Sequence, residues 1–211
     1  MLYTGRGDNG TTRTFGCDQR ISKSSAVAEA LGAVDETNSL LGVLKMEGRQ
    51  TPSVSGLDYH ALLSGVQQDL FVIQAELAGA DKTMEHARVK KLEDWVNAIE
   101  KELPPISSFF VSGGTKLGAL CDYARTVSRR AERRVVACLS EDPSACGHAR
   151  ADACLRATHR QARSQAALEN DPAKDNHKDL LAYMNRLSSL LYALARLANH
   201  RAGVAEEKPR Y

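Results

Sequence analysis

The sequence predicts an all-α protein: a five-helix antiparallel bundle with an ordered N-terminal loop or arm and a long insertion before the last helix. Two observations predict it. Five long segments repeat apolar residues every three to four positions, the period of a helix with one buried face. No stretch of note shows the period-two alternation of a half-buried strand. The links between most of these segments are short, as neighbouring antiparallel helices require. All 211 residues are read as one domain, with an arm over 1–23 and an insertion over 141–177.

The arm is rich in Gly, Thr and charge and has no helical period. The first helix is expected from about Ser24 to Met46, with Val27, Ala30, Val34, Leu41 and Leu44 on one side. The second runs from about Leu57 to Ala80 and buries Leu62, Val66, Leu70, Ile73 and Leu77. The third, from about Ala87 to Leu103, ends at Pro104-Pro105, where proline stops a helix. The fourth follows Gly113-Gly114 and takes Thr115 as its cap. The last runs from about Lys178 to His200, with Leu180, Leu181, Met184, Leu187, Leu191, Leu194 and Ala198. The insertion, Glu141 to His177, is too long for a plain helix connection. Its Ala- and Arg-rich middle, about His148 to Leu168, has the composition of a further helix, and Glu169 to His177 reads as a polar loop.

The formal net charge of +2 is too balanced for a general nucleic-acid binder. Hydrophobic residues make up 43% of the chain and are dispersed, which indicates a globular protein. No run approaches the roughly 20 apolar residues of a membrane span. The N-terminus, with Tyr3, glycines and charges, has no signal-peptide pattern. Five cysteines without a paired framework point to a reducing compartment, so a cytoplasmic location is expected.

The most informative segment is Ala124 to Arg134, Ala-Arg-Thr-Val-Ser-Arg-Arg-Ala-Glu-Arg-Arg. Arg125, Arg129 and Arg133 recur every four residues. A helix advances about 100° per residue, so Glu132 falls roughly 20° from Arg125. The four charges form a stripe beside the apolar line Leu117, Leu120, Ala124, Val127, Ala131 and Val135. Such a stripe is often a solvated face laced with local ion pairs. Three guanidiniums with a carboxylate, held rigidly beside a core, also suit a polyanion such as a triphosphate.

Other signals are weaker. Gly5, Gly7 and Gly10 spell Gly-x-Gly-x-x-Gly, but without the strand and helix of the dinucleotide-binding unit. Their backbone N–H groups suit an anion nonetheless, with Thr4, Thr11, Thr12, Arg6 and Lys23 nearby. A solvated N-terminus is the ordinary alternative. Phe109-Phe110 precede the glycine turn, either as a hydrophobic staple or as an aromatic offered to a flat ligand. Asp35, one position after core residue Val34, is placed to meet an arginine of a neighbouring helix, and Asn185-Arg186 reads similarly. Cys146, His148, Cys154 and His159 do not match a familiar zinc spacing, and no metal site is assigned to them.

Together these segments resemble the PduO-type ATP:cob(I)alamin adenosyltransferases, also called ATP:corrinoid adenosyltransferases. The resemblance is carried by Tyr3-Thr4-x-x-Gly7-Asp8-x-Gly10-x-Thr12, Arg20-x-Ser22-Lys23, Gly32-x-Val34-Asp35-Glu36-x-Asn38-Ser39, Gly113-Gly114-Thr115, Ala124-Arg125-Thr126-Val127-x-Arg129-Arg130-Ala131-Glu132-Arg133 and Asn185-Arg186-Leu187-Ser188. It covers most of the chain outside the insertion. It implies a homotrimer with active sites between subunits. It also implies transfer of the 5′-deoxyadenosyl group of ATP to the cobalt of reduced cobalamin, with release of triphosphate and with Mg²⁺ accompanying the nucleotide. An electron-donating reductase and an adenosylcobalamin-dependent acceptor enzyme are the implied partners.

By the same resemblance, Thr4, Gly5, Arg6, Gly7, Thr12, Arg13 and Lys23 form the ATP arm. Arg129, Arg130, Glu132, Arg133 and Asn185 complete the nucleotide site. Asp35 pairs with Arg125 across a subunit boundary and helps position the corrin. Phe109 fills the lower face of cobalamin and excludes its dimethylbenzimidazole ligand. The chain departs from the family pattern at Gly5 and Arg6, where Lys and Thr are usual, at Ser112, where proline is common, and at Ser189, where aspartate is usual. These departures motivate the alternative of a non-catalytic nucleotide- or cobalamin-binding carrier or regulator on the same fold.

Overall fold

The computed structural model describes residues 2–14, 20–51, 53, 56, 58–106, 110–140 and 177–210. Among them are five long helices: α1 (Ala26–Glu47), α2 (Tyr59–Leu77), α3 (His86–Glu100), α4 (Lys116–Ser140) and α5 (Lys178–Arg201). Each falls where apolar periodicity places a helix. The starts of α1 and α2 are set by capping side chains. Ser25 Oγ accepts from Ala28 N–H, and Asp58 accepts from the N–H groups of His60 and Ala61. Such caps satisfy donors that the first turn leaves unpaired, so each helix begins about two residues later than its pattern alone indicates. The segment 141–176, with the helix expected in its middle and its Cys and His residues, lies outside the described residues.

One expectation needs correction. The arm contains two short strands, β1 (Thr11–Thr12) and β2 (Ile21–Ser22), paired antiparallel with Thr11 opposite Ser22 and Thr12 opposite Ile21. Two-residue strands are too short to show alternation. They are tied by Arg20, whose Nε donates to Thr11 Oγ1 at 2.6 Å and whose Nη2 donates to the Thr11 carbonyl at 2.9 Å.

α1 and α4 run antiparallel, as cross-helix contacts show. Glu29 of α1 pairs with Arg134 of α4 at 3.1 Å, and Glu36, two turns later in α1, pairs with Arg130, one turn earlier in α4. The start of α4 lies against the end of α5, where Thr115 N–H donates to Asn199. α3 and α5 run parallel, joined at one end by His86–Asp179 and at the other by Glu102–Arg201. The core holds the expected residues of α1 and α2, together with Leu92, Ile99, Ala124, Ala131, Val135, Met184 and Leu191. Burying each large aliphatic side chain contributes about 1.5–3 kcal/mol.

Polar groups inside this core are paired, as burial demands. Asp69 accepts from Tyr183 Oη at 2.8 Å and pairs with Arg88, joining α2 to α3 and α5. Glu76 accepts from Met84 N–H at 2.7 Å and meets His177 at 2.7 Å. Tyr59 Oη lies 3.3 Å from Cys121 Sγ. Cys121 and Cys138 are buried.

Burial pushes the Cys121 thiol up to about 12 and raises the Tyr59 and Tyr183 hydroxyls above the ordinary tyrosine range. These native groups keep protons that the unfolded chain releases at its ordinary pKa values, about 8.5 for Cys and 10 for Tyr. Their stabilisation is complete below those values and declines as pH rises through them toward the native pKa values, by about 1.4 kcal/mol per pH unit for each group. The midpoint of thermal unfolding is therefore expected to fall between about pH 8.5 and 11. Tyr59→Phe, with one such group removed, should show a shallower fall; a slope equal to that of the unaltered protein would contradict the assignment.

Candidate functional site

α4 and α5 pack so that a polar line on each faces the other. Gly118, Asp122, Arg125 and Arg129 line one side of a pocket of about 630 Å³, and Ser188, Ser189, Tyr192, Arg196 and Asn199 line the opposite side. Both sets recur at three- to four-residue intervals, the spacing of a single helix face. The segment preceding α4 supplies an aromatic and apolar wall through Ile106, Phe110 and Val111. Glu206, in the tail after α5, closes part of the rim.

The wall is held by α5. Asn199 Oδ1 accepts from Thr115 N–H at 2.9 Å and Thr115 Oγ1 at 3.0 Å, while Asn199 Nδ2 donates to the Gly113 carbonyl at 3.0 Å. Thr115 Oγ1 in turn accepts from Gly118 N–H at 3.0 Å, so the expected helix cap is present. The turn has no room for other side chains. Gly114 has φ +90°, and a Cβ there would lie 2.5 Å from Asn199 Oδ1; at Gly118 the distance would be 2.4 Å. Asn199 was not among the residues the sequence singled out, although its position at helical spacing from Tyr192 and Arg196 was a usable signal.

Charges in the pocket are partly compensated. Arg125 Nε donates to Asp122 Oδ1 at 2.5 Å within α4, an i,i+3 pair that sequence spacing permits. The Arg129 guanidinium pairs with no carboxylate among the described residues and lines the same pocket. Burial, opposed by Arg196 and Arg125 and reinforced by Glu206 and Asp122, raises the Tyr192 hydroxyl. Tyr192 is therefore a neutral donor at physiological pH.

The remaining predicted residues are distributed around this pocket. Arg130 pairs with Glu36 of α1, and its Nε is buried without an acceptor. Glu132 accepts from Asn185 Nδ2 at 3.2 Å, and Asn185 Oδ1 accepts from Arg186 at 2.7 Å. Arg186 also pairs with Glu93 of α3 at 3.0 Å. Arg133 reaches back to the Arg129 carbonyl at 3.1 Å and lies one turn beyond the pocket. The stripe thus divides: Arg125 and Arg129 face the pocket, while Glu132 joins α5 through Asn185. Asp35 is exposed on α1, next to Glu36. Phe109 lies outside the described residues.

The arm is built separately. Asp8 N–H donates to the Gly5 carbonyl at 3.2 Å and Gly10 N–H to the Gly7 carbonyl at 3.1 Å. Asn9 Oδ1 accepts from Thr11 N–H and Oγ1. Thr4, Arg6, Arg13 and Lys23 are exposed, whereas Gly7 and Thr12 are half-buried. None of the described arm residues lines the α4–α5 pocket. Among the described residues no helix is long and apolar enough to cross a membrane, and no cluster of three or more His, Cys, Asp or Glu stands ready to hold a metal.

Fold and site define a class: a helical bundle whose pocket combines an arginine unpaired among the described residues, a tyrosine and an aromatic wall. Residues 2–198 match the model of the cobalamin adenosyltransferase family. The chain is 31% identical over 209 residues to a corrinoid adenosyltransferase of Bacillus subtilis, covering 97% of this chain and 90% of the relative. It is 33% identical over 203 residues to a cobalamin adenosyltransferase of Cupriavidus metallidurans, covering 96% and 90%. Its fold superposes on a phenylalanine-to-alanine variant of a PduO-type ATP:corrinoid adenosyltransferase from Lactobacillus reuteri, complexed with cobalamin and ATP. The TM-score is 0.71, with 26% identity over 100% of both chains. An arginine-to-lysine variant of that enzyme complexed with ATP gives 0.70, covering 99% of this chain and 100% of the other. This chain belongs to the cobalamin adenosyltransferase family.

The Asn199 clamp yields a stability prediction. Asn199→Ala leaves the Gly113 carbonyl and Thr115 N–H without their partner, a loss of about 1–3 kcal/mol. Denaturant unfolding should show the midpoint lowered accordingly; an unchanged midpoint would show that the turn holds itself.

Proposed function

We propose that this protein transfers the 5′-deoxyadenosyl group of ATP to the cobalt of cob(I)alamin, releasing triphosphate and forming adenosylcobalamin. The observation that carries the reading is the joint placement of Arg125, Arg129, Tyr192 and Phe110 on one pocket in a chain of this family. Cobalt(I) attacks the ribose 5′-carbon, the cobalt–carbon bond forms, and the bond from that carbon to the phosphate oxygen breaks. Triphosphate leaves with the electron pair. Cobalt(I) is already a strong nucleophile, so no general base is needed. The protein aligns the two substrates and stabilises the leaving charge.

In this reading Arg129 and Arg133, with Arg130, Glu132 and Asn185, face the triphosphate end. Arg125 faces the corrin, joined by Asp35 of a second copy. Phe109 covers the lower face of cobalamin and denies water and nitrogen donors access to the cobalt, which makes cobalt(II) easier to reduce. Thr4, Gly5, Arg6, Gly7, Thr12, Arg13 and Lys23 cradle ATP. The described arm residues lie outside the pocket of their own chain, which supports a site completed between subunits of a homotrimer.

Mg²⁺ enters with the nucleotide. It would be held by the phosphates and by one or two carboxylates. Glu132 is the carboxylate at that end of the stripe, and the ion neutralises part of the triphosphate charge. The buried thiols Cys121 and Cys138 fit the reducing cytoplasm. A reductase supplies cobalt(I) there, and an adenosylcobalamin-dependent enzyme receives the product.

Incubation with ATP, Mg²⁺ and chemically reduced cobalamin should give light-sensitive adenosylcobalamin; no product at saturating substrates would reject the reading. Ser189 lines the pocket where the family usually has an acid, which is the observation that favours a carrier. Tight binding of both ligands without turnover would select that alternative. Arg129→Ala is expected to weaken ATP binding by about 10- to 100-fold with the helical fold retained, by calorimetry and circular dichroism. Unchanged affinity would remove Arg129 from the phosphate site.

A further inference from the structure

The tail after α5 plays no part in the reaction described above, yet it grips the pocket wall. Arg196 of α5 is almost fully buried, at 4% exposure. Its Nε donates to Glu206 Oε1 at 2.8 Å, and its Nη2 donates both to Glu206 Oε2 at 3.0 Å and to the Pro104 carbonyl at 3.0 Å. The guanidinium lies over the Phe110 ring, 5.2 Å from its centroid. One residue further on, Val111 N–H donates to the Glu207 carbonyl at 2.8 Å. The aromatic wall is thus held by a buried cation on one side and by the tail backbone on the other.

A buried guanidinium requires a compensating charge and filled donors. Glu206 is the carboxylate that pairs with Arg196, and both of its oxygens are committed to that fork. Without this carboxylate, Arg196 is a buried unpaired cation and is driven toward water. Phe110 then loses the cation over its face and the Pro104 carbonyl loses its donor. The residues preceding the glycine turn would keep the Asn199 contacts and the Val111–Glu207 backbone bond but lose the charged anchor on the ring.

We propose that Glu206 is a positioning residue for the corrinoid. By locking Arg196 against Phe110, it sets the aromatic wall of the α4–α5 pocket, and the C-terminal tail thereby becomes part of the corrinoid-binding apparatus. The inference rests on the reading of this pocket as the adenosyl-transfer site. Glu206 acts through Arg196 rather than on the reacting atoms, so its loss affects corrinoid binding more than ATP binding.

The test uses the full chain with Glu206→Gln, Glu206→Asp and Arg196→Lys. In Glu206→Gln, amide hydrogen exchange in peptides spanning Phe110 to Thr115 is expected to quicken by about tenfold, and exchange in α1 and α2 is expected to stay unchanged. KM for cobalamin should rise about 5- to 20-fold, and KM for ATP should move less than about twofold. Glu206→Asp, which keeps the charge, should recover part of the loss. Arg196→Lys, which keeps the charge but not the fork, should resemble Glu206→Gln and serves in its place if that variant does not fold. Unchanged exchange and unchanged KM for cobalamin would overturn the proposal. So would equal rises in both KM values with exchange raised throughout the chain, which would reduce Glu206 to a general stabiliser. Absence of adenosyl transfer by the unaltered protein would defeat the parent reading instead. The exchange contrast would still decide whether Glu206 fixes the wall.

Discussion

Where α5 passes the start of α4, one side-chain amide is shared among the Gly113 carbonyl, Thr115 N–H and Thr115 Oγ1. The Asn199 side chain sits so close to Gly114 and Gly118 that a Cβ at either would lie 2.5 or 2.4 Å from its Oδ1. The register of α4 against α5 follows from it. That register places Asp122, Arg125 and Arg129 opposite Ser188, Tyr192 and Arg196. A shift of one residue along α4 would rotate the arginines by about 100°, out of the groove and onto the surface. The pocket is therefore a consequence of how two helices are locked at one end.

The electrostatics follow from the same packing. Close approach partly buries the Arg125–Asp122 pair and leaves Arg129 uncompensated toward the groove. Partial burial also raises the Tyr192 hydroxyl above its ordinary range. A cationic end and an aromatic end then lie within one cavity, as a substrate pair with a polyphosphate and a flat macrocycle requires. Directed cations in a partly enclosed site act more strongly on a leaving triphosphate than the same charges would in bulk water.

Much of this was legible in the residues. The core lines of α1 and α2 follow a 3.6-residue period, and every apolar residue named for those two helices is buried. The glycine pair followed by Thr115 marks the start of α4 because only a few residue types fit such a turn and cap. The arginine repeat marks the α4 face that lines the pocket through Arg125 and Arg129, although Arg133 lies beyond it. What was not legible depends on long-range partners. Arg196 reads as an ordinary helix charge until Glu206, ten residues later in an aperiodic tail, is folded onto it. Asn199 reads as a solvated amide until Gly118 is brought beneath it. The hairpin of the arm escaped because its strands have two residues each and are joined through Arg20 rather than by a patterned face.

The central claim is that the α4 arginines act together with the glycine-rich arm of another copy. Subunit complementation tests it most directly. Lys23→Ala and Arg129→Ala proteins are unfolded, mixed in equal amounts, refolded together and assayed for adenosyl transfer at an ATP concentration too low to saturate either variant alone. If arm and stripe come from different chains, random assembly restores about a quarter of the sites, and activity returns to about that fraction of the unaltered protein's. Failure to regain activity in assembled mixed oligomers would contradict the account and place both elements of each site on one chain.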